Sequence, residues 1–328
     1  MIKFSTLLLV FITMVSSAQT TIYRKASLMG CQFDFTVVAD NDTKANEYID
    51  IAINEIIRIE NLISEWIPAT QVSKINQNAG KQPVKVDREL LELTERAMQF
   101  SKISNGAFDI SFASIDKIWK FDGSMTQVPD AEAIKKSVEK IGYENILIDK
   151  ENSTVFLKIP GMKIGFGSIG KGYAADKAKD LLQSKGAIAG IINASGDMAV
   201  WGKQTDGKDW TVGIINPLNK NKIFATFPIN KGAVVTSGTY EKSITLNGKK
   251  YSHIIDPRTG YPAMGIISVT VFAKSAELAN GLSTSIVVMG KEAGLDLINQ
   301  LPDVSCVIVN DKGQIFYSNA ITINTVKK

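Results

Sequence analysis

Apolar residues recur at three- and four-residue steps in several parts of the chain, which is the spacing of an amphipathic helix. The clearest case runs from Ala45 to Ile63, where alanine, tyrosine and isoleucine residues fall on one helical face. Gly142 and Gly186 follow two such patterns and mark helix ends. Further helices are predicted at about Asp87–Ile103 with Asp87 as N-cap, from near Asp130 to Gly142, and at Lys171–Lys185, Ala276–Met289 and Lys291–Leu301.

Shorter apolar runs between turn residues predict strands. The segment Tyr23–Val38 is either a strand pair or one bent strand, and Ile188–Ala273 is mostly strands, with Asn247-Gly248 as a two-residue hairpin turn. Hairpins are also predicted at 145–159 and 304–317. Helices and strands are interleaved without strict alternation, and no repeat or flexible linker divides the chain. The prediction is therefore a single mixed α+β domain.

The first 18 residues have the pattern of a signal peptide. Lys3 supplies the positive charge, Leu7 to Val15 forms an apolar run, and Ser16-Ser17-Ala18 supplies small residues for cleavage. The run is too short to span a membrane. Cleavage would leave residues 19–328 as the mature domain, exported to the periplasm of a bacterial-type cell. Because no cysteine follows the run, no lipid anchor is expected; the alternative interpretation is an ordinary buried helix.

Composition narrows the classes of function. The 328 residues are 45% hydrophobic and 21% charged, as in globular proteins, and the net charge of +4 gives no sign of nucleic-acid binding. Cys31 and Cys306 are the two cysteines, and they form either one disulfide or two separate thiols. With only one histidine beside them, a zinc site is not expected.

Two segments combine glycine with polar residues. GFGSIGKGYAAD, Gly165 to Asp176, places four glycines and Lys171 around a predicted helix start, which favours anions such as phosphate. It matches neither a P-loop nor a Rossmann fingerprint, so a glycine-rich turn remains an equal alternative. INASGDM, Ile191 to Met198, ends an apolar strand in polar groups, either for a ligand or as a structural turn.

Two further segments carry candidate chemistry. His253, the only histidine, precedes a polar loop from Asp256 to Gly260, and it is either a general base or a structural residue. In ELANGLSTSIVVMG, Glu277 to Gly290, three polar residues lie at i, i+3 and i+4 and share one helical face: Asn280, Ser283 and Thr284. Their oxygens suit Mg²⁺, and a polar helix start is the alternative.

Taken together, these segments resemble the ApbE family of FAD:protein FMN transferases. The resemblance runs from about Ala26 to Tyr317, and its motifs occur in the family's order. It includes, besides the four segments above, LMG at Leu28–Gly30, SEWIPATQVSKIN at Ser64–Asn76, NGAFDIS at Asn105–Ser111, and HIIDPRTG at His253–Gly260.

The resemblance implies a compact α+β domain of the tunnelling-fold type that binds FAD in an elongated cleft, with Mg²⁺ at the pyrophosphate. FMN is attached to a threonine of an acceptor protein, expected to be membrane-associated and to face the periplasm, and AMP leaves. His253 would take the threonine's proton or orient the threonine for attack, and Asp256 would orient the histidine loop. The implied FAD site comprises Met29, Trp66, Ala107, Phe108, Asp109, Lys171 and Ile254, and the implied metal ligands are a carbonyl near Ser168 and side chains from Asn280, Ser283 or Thr284.

Two positions depart from the family's pattern. Gly165 and Asn280 stand where the family usually has acidic residues, so negative charge is missing near the expected metal site. Two other functions stay open: hydrolysis of FAD to FMN and AMP, and flavin binding without catalysis. The loop after His253 favours the enzymes, whereas the two departures favour the binding protein.

Overall fold

A computed structural model describes residues 19–240 and 242–321, without the side chains of residues 220 and 221. The helices are α1 Asp42–Ile63, α2 Gln71–Gln77, α3 Arg88–Ile103, α4 Ala131–Ser137, α5 Gly170–Ser184, α6 Ala276–Met289 and α7 Lys291–Asn299. The strands are β1 Thr20–Leu28, β2 Cys31–Ala39, β3 Val84–Lys85, β4 Ile146–Asp149, β5 Thr154–Leu157, β6 Ala189–Ala194, β7 Asp197–Trp201, β8 Trp210–Asn216, β9 Asn219–Ile229, β10 Lys231–Gly238, β11 Ser243–Leu246, β12 Lys249–Ser252, β13 Ile266–Ala273, β14 Ser305–Asn310 and β15 Ile315–Tyr317.

The molecule is organised around one eight-stranded sheet in the order β1-β2-β6-β7-β10-β13-β14-β15. Every neighbouring pair in it is antiparallel, which distinguishes this α+β fold from a doubly wound parallel sheet. The sheet draws its strands from both ends of the described chain. The predicted α+β class is therefore confirmed, and no sheet boundary separates an N-terminal from a C-terminal half.

Other elements pack against both faces of the sheet. The helices α1, α5 and α6 pack against one face, where alternate residues of β2 such as Phe33, Phe35 and Val37 are fully buried in the main core. The hairpin of β8 and β9 covers part of the other face, with the rings of Phe227 and Phe272 4.9 Å apart. Helix α1 runs antiparallel to α5, since Tyr48 near the start of α1 donates to the carbonyl of Lys185 after α5, and Ile63 at the end of α1 lies beside Gly170 at the start of α5.

Most predicted elements are present, with differences at their ends. Residues 20–39 form a strand pair, not one bent strand, because Met29 and Gly30 adopt positive φ angles in a two-residue turn. The helix expected to end at Gly142 ends at Ser137, and the last helix ends at Asn299. Asp87 occupies the N-cap of α3, but its carboxylate accepts a hydrogen bond from Gln71 and does not cap the helix.

The two cysteines lie far apart in the sheet. Cys31 begins β2 and Cys306 lies in β14, with four strands between them, so both are free thiols. The disulfide alternative is thereby excluded. In the part of the chain that the structure describes, none of the helices combines the length and the apolar character needed to cross a membrane. The predicted signal peptide, residues 1–18, lies outside the described residues.

Candidate active site

A cavity of about 570 Å³, the main cavity, opens where the first turn of α5, the ends of β7 and β10, and helix α6 meet the loop after β12. Nine of the residues predicted from the sequence line it: Ala107, Phe108, Asp109, Ser168, Lys171, His253, Ile254, Asn280 and Thr284. These residues come from four separate segments of the chain. The fold therefore brings most of the predicted site to one place.

The glycine-rich segment allows two helices to touch at the cavity. A Cβ atom at Gly172 would collide with the backbone carbonyl of Ala276, the first residue of α6. Asp176 on α5 also accepts a hydrogen bond of 2.8 Å from the backbone N–H of Glu277. This close approach places Lys171 on α5 beside the same cavity as Asn280 on α6.

Lys171 forms an ion pair with Asp197 inside the main cavity. Its Nζ lies 3.0 Å from Oδ2 of Asp197, and the Asp197 side chain is only 3% exposed. Oδ2 faces the Lys171 ammonium group and accepts no hydrogen bond from the backbone of the described residues. Burial raises the pKa of Asp197, and the Lys171 charge opposes that rise only in part. The pair presents one ammonium group and one carboxylate to the cavity.

The predicted metal face of α6 divides into two parts. Asn280 and Thr284 line the main cavity, and the buried Oδ1 of Asn280 has no hydrogen-bond partner among the described residues. Ser283 lies outside the lining because its hydroxyl is directed to β10, 2.8 Å from the hydroxyl of Ser237. It also donates to the carbonyl of Asn280, 3.1 Å away. Ser283 thus secures the helix, while Asn280 presents an oxygen to the cavity.

His253 is half-buried in the cavity wall, directly after β12. Its Nδ1 lies 3.1 Å from the carbonyl oxygen of Lys242, whose carbonyl also accepts the His253 backbone N–H at 3.0 Å. Since a carbonyl only accepts hydrogen bonds, Nδ1 carries the hydrogen and Nε2 has the lone pair. The ring is therefore held in the tautomer of a base.

Asp256 shapes the loop after His253 and is not part of the cavity lining. Its carboxylate accepts hydrogen bonds of 2.9 Å and 2.8 Å from Nε and Nη2 of Arg258, and its backbone closes the turn to Gly260 and Tyr261. Trp119 donates to the Gly260 carbonyl at 2.9 Å and fixes the far side of that turn. Asp256 thus lies within the histidine loop and outside the cavity lining, and its role in orienting that loop stays a prediction.

Ala107, Phe108 and Asp109 form another wall of the main cavity. The Asp109 carboxylate accepts from the backbone and hydroxyl of Ser111, at 2.7 Å and 2.6 Å, and from the backbone of Tyr143 at 2.8 Å. Burial nevertheless raises its pKa, because it outweighs these hydrogen bonds. Asp109 thus holds two loops together, which leaves the backbone around Phe108 to face the cavity.

Two predicted flavin contacts lie away from the main cavity. Met29 sits in the β1–β2 turn, with its backbone N–H 3.2 Å from Glu60, and its side chain reaches towards Gly170. Trp66 is 74% exposed and lines a second cavity of about 850 Å³ together with Glu65, Lys117 and Lys163. Phe112 lines both cavities, so the two adjoin and could form one elongated cleft.

Sequence reasoning did not assign several residues of the lining. Asp197 belongs to the INASGDM segment, so the polar strand end was a usable signal for it. Lys242 had no such signal, because only the hairpin of β11 and β12 brings its carbonyl to His253. The other unassigned polar residues of the lining are Ser195, Thr236 and Ser237.

Comparison with known proteins identifies the family. The family model described as the ApbE family matches residues 29–308. The FAD:protein FMN transferase of Klebsiella pneumoniae (strain 342) is 30% identical over 296 residues, 90% of each chain. The crystal structure of the Thermotoga maritima ApbE protein superimposes with a TM-score of 0.82 at 30% identity, covering 92% of this chain and 97% of that one. The flavin transferase ApbE from Vibrio cholerae gives 0.79 at 27% identity, covering 92% and 98%. By sequence and by fold, this chain belongs to the ApbE family.

Proposed function

We propose that this protein transfers FMN from FAD to a threonine hydroxyl of an acceptor protein and releases AMP. The observation that carries the proposal is that His253, Lys171 and Asn280 line one cavity although they lie far apart in sequence. His253 supplies a base, Lys171 a positive charge, and Asn280 an oxygen without a hydrogen-bond partner among the described residues. These are groups that phosphoryl transfer uses around a pyrophosphate. The Klebsiella pneumoniae and Vibrio cholerae relatives are named for the same activity.

The reaction forms one phosphoester bond and breaks one bond of the pyrophosphate. The threonine oxygen attacks the phosphorus of the FMN half, and Nε2 of His253 takes the hydroxyl proton. The bond from that phosphorus to the bridging oxygen breaks, and AMP leaves with its electron pair. Lys171 offsets negative charge on the phosphate oxygens during the transfer. Asp256 holds the histidine loop and does not contact the reacting atoms.

The residues of the main cavity fit Mg²⁺ together with FAD, and not Mg²⁺ alone. The unpaired oxygen of Asn280 and the carboxylate of Asp197 are hard ligands, but the described residues contain no group of three His, Cys, Asp or Glu side chains that could hold a metal. A carbonyl near Ser168, with Asn280 and Thr284, would hold the ion, and Asp197 supplies a carboxylate in the same lining. When bound, Mg²⁺ would neutralise phosphate charge.

The proposed place of action is the periplasm. The charged, apolar and small residues of positions 1–18 support export and cleavage of that segment. The acceptor would then be a protein that carries its threonine on the periplasmic side of the membrane. Mass spectrometry of the mature N-terminus, together with cell fractionation, tests this: an intact Met1 in the cytoplasm would contradict it.

The transfer proposal is tested by incubating the mature protein with FAD, Mg²⁺ and a candidate acceptor protein. In-gel flavin fluorescence on the acceptor, with AMP in solution, is the expected result. An acceptor whose threonine is replaced by alanine is the matched control, and it should show no flavin fluorescence. AMP without a fluorescent acceptor would indicate FAD hydrolysis instead. A yellow protein that gives neither product would indicate a flavin-binding protein without catalysis.

A further inference from the structure

The carboxyl group of Glu65 has an unusual environment in the second cavity. Its Oε2 atom is buried and has no hydrogen-bond partner among the described residues, although the side chain lines the cavity. Leaving a buried carboxylate oxygen unpaired is costly, and natural proteins seldom do so without a reason. The backbone of Glu65 is fixed, since its carbonyl accepts a hydrogen bond of 3.1 Å from the hydroxyl of Ser73.

Gly165 makes room for this carboxyl group. A Cβ atom at position 165 would overlap Oε2 of Glu65 and would lie 3.1 Å from the Cβ of Ala113. Gly165 has no positive φ angle, so the backbone there does not itself require glycine. Glycine is needed at 165 for space, and the group that fills the space is the Glu65 carboxylate.

The surroundings of Glu65 suit a flat, nitrogen-containing ring. Trp66 exposes 74% of its surface at the cavity, with Nζ of Lys117 4.8 Å from the ring centroid. An exposed indole beside a carboxylate can stack on a heteroaromatic ring while the carboxylate accepts from a ring N–H. Because Phe112 lines both cavities, a dinucleotide with its pyrophosphate near Lys171 can place one ring beside Glu65.

We propose that Glu65 is a substrate-binding residue: its buried Oε2 seats the carboxyl group against Gly165, and its other oxygen, Oε1, accepts a hydrogen bond from an N–H donor on one of the two ring systems of bound FAD. Gly165 leaves the volume that this carboxyl group occupies. The proposal rests on the proposed function, because it takes FAD as the ligand. FAD has two donors of this chemistry, the 6-amino group of adenine and N3–H of the flavin, and the choice between them is left to the experiment.

The experiment measures affinity for FAD by titration calorimetry in the parent protein, in Glu65→Ala and in the double variant Glu65→Ala/Gly165→Asp. Loss of a hydrogen bond to a charged group should weaken FAD binding about tenfold or more in Glu65→Ala. The double variant returns a carboxylate to the same space from the opposite side, so it should recover much of that affinity. Glu65→Ala/Gly165→Asn, which has the volume but not the charge, is the matched control and should recover less.

Thermal unfolding of the FAD-free proteins separates binding from structure. Because the parent carboxylate is unpaired, Glu65→Ala should have an unchanged or higher Tm. Unchanged FAD affinity in Glu65→Ala, or a lowered Tm as the only effect, would overturn the proposal. So would equal recovery by Asp and Asn at position 165.

Titrations with FMN and with ADP identify the ring. A loss of affinity in Glu65→Ala for FMN and FAD assigns the contact to the flavin, and a loss for ADP and FAD assigns it to adenine; both outcomes support the proposal. A parent protein that binds no FAD would refute the proposed function itself. That result differs from equal FAD binding by parent and variant, which refutes only the role of Glu65.

Discussion

A single backbone contact decides what the His253 ring can do. The Lys242 carbonyl accepts the hydrogen bond from Nδ1, so in the neutral ring the hydrogen lies on Nδ1 and the lone pair on Nε2. No second histidine exists in the sequence to share the role. The His253 ring and the Lys171 ammonium group line the same cavity. A ligand bound there would meet both a proton acceptor and a positive charge.

Replacing His253 by alanine should slow FMN transfer by about 10²–10⁴-fold, because a positioned base is lost. FAD affinity should change little, since the phosphate contacts lie on α5 and α6. Transfer rate and FAD dissociation constant are measured side by side. His253→Asn, which retains a donor for the Lys242 carbonyl but not a base, is the matched control. A parental rate in His253→Asn would show that the ring serves only to hold the loop.

Asp197 should make stability depend on pH. Its folded pKa is raised by burial, so its contribution is fully present below the unfolded pKa of about 3.9 and is lost as the pH rises through the folded value. Asp197→Asn removes this loss and should be more stable than the parent at neutral pH. Urea unfolding without FAD or Mg²⁺ at pH 4 and pH 8 measures the difference, which should shrink at pH 4. A constant difference at both values would contradict the argument.

The site residues found from sequence and those missed differ in a physical way. His253, Lys171 and Asn280 stand out because rare or charged types occur within turn-rich segments. Glu65 belongs to a predicted motif, but the position of its carboxyl group depends on the space at Gly165, which is 100 residues later in the chain. Such pairings arise only from folding, so a single sequence does not reveal them.

At the scale of elements, close backbone approaches position the site. Gly172 lets α5 touch α6, and Gly260 lets the histidine loop reach the end of α4. Gly260 has a φ of +77°, and a Cβ there would lie 2.9 Å from the carbonyl oxygen of Ile134. A side chain at position 172 would separate the two helices that carry Lys171 and Asn280, and a side chain at position 260 would push the histidine loop away from α4.

Gly260→Ala should therefore destabilise the protein by more than Gly265→Ala. Both glycines have positive φ angles, which costs an alanine roughly 1 kcal/mol, but Gly265 has open space where its Cβ would lie. The additional loss of unfolding free energy in Gly260→Ala, compared with Gly265→Ala, measures the cost of the contact with Ile134. Chemical denaturation of both variants gives the two free energies of unfolding. Equal losses would mean that the contact relaxes without cost.

Element boundaries were predictable only where local signals agree with packing. The Asn247-Gly248 turn was predicted correctly, and both residues adopt positive φ angles between β11 and β12. Helix α2 was missed because its seven residues give too few turns for a periodic pattern. The end of α4 was placed too late, since Ile141 continues the apolar spacing beyond the last helical turn.

At the scale of the whole molecule, the proposed Mg²⁺ site should depend on bound FAD. Asn280, Asp197 and Ser168 come from α6, β7 and the segment before α5, and together they contribute one carboxylate, which Lys171 partly neutralises. The diphosphate of FAD would therefore supply most of the negative charge that Mg²⁺ requires. Binding of the two should be coupled, each tightening the other.

Mg²⁺ should accordingly bind weakly to the FAD-free protein, and Asn280→Asp should tighten it, because a second carboxylate adds attraction in a partly buried site. Calorimetric titration of Mg²⁺ with and without ADP measures the coupling. The Mg²⁺ dependence of AMP release gives a second readout. Asn280→Ser, which retains an oxygen without charge, is the matched control. Saturation at the same Mg²⁺ concentration in parent and Asn280→Asp would place Asn280 away from the metal.

The fold class was predictable because the pattern of helices and strands lacks the regular alternation of a parallel sheet. The order of strands was not, since it depends on pairing between distant segments. Strand β2 pairs with β6, for example, and β7 pairs with β10. The resemblance to a known family added what periodicity alone does not contain.

That strand order also bears on how the chain folds. Phe33 in β2 has Ala194 in β6 as its partner, and β13 pairs with β14 near the end of the described chain. Contacts between segments so distant in sequence slow the search for the native state. A ribosome must release most of the polypeptide before the central strands can find their neighbours. The nascent chain should therefore remain unfolded for longer than a chain of the same length that is built from local hairpins.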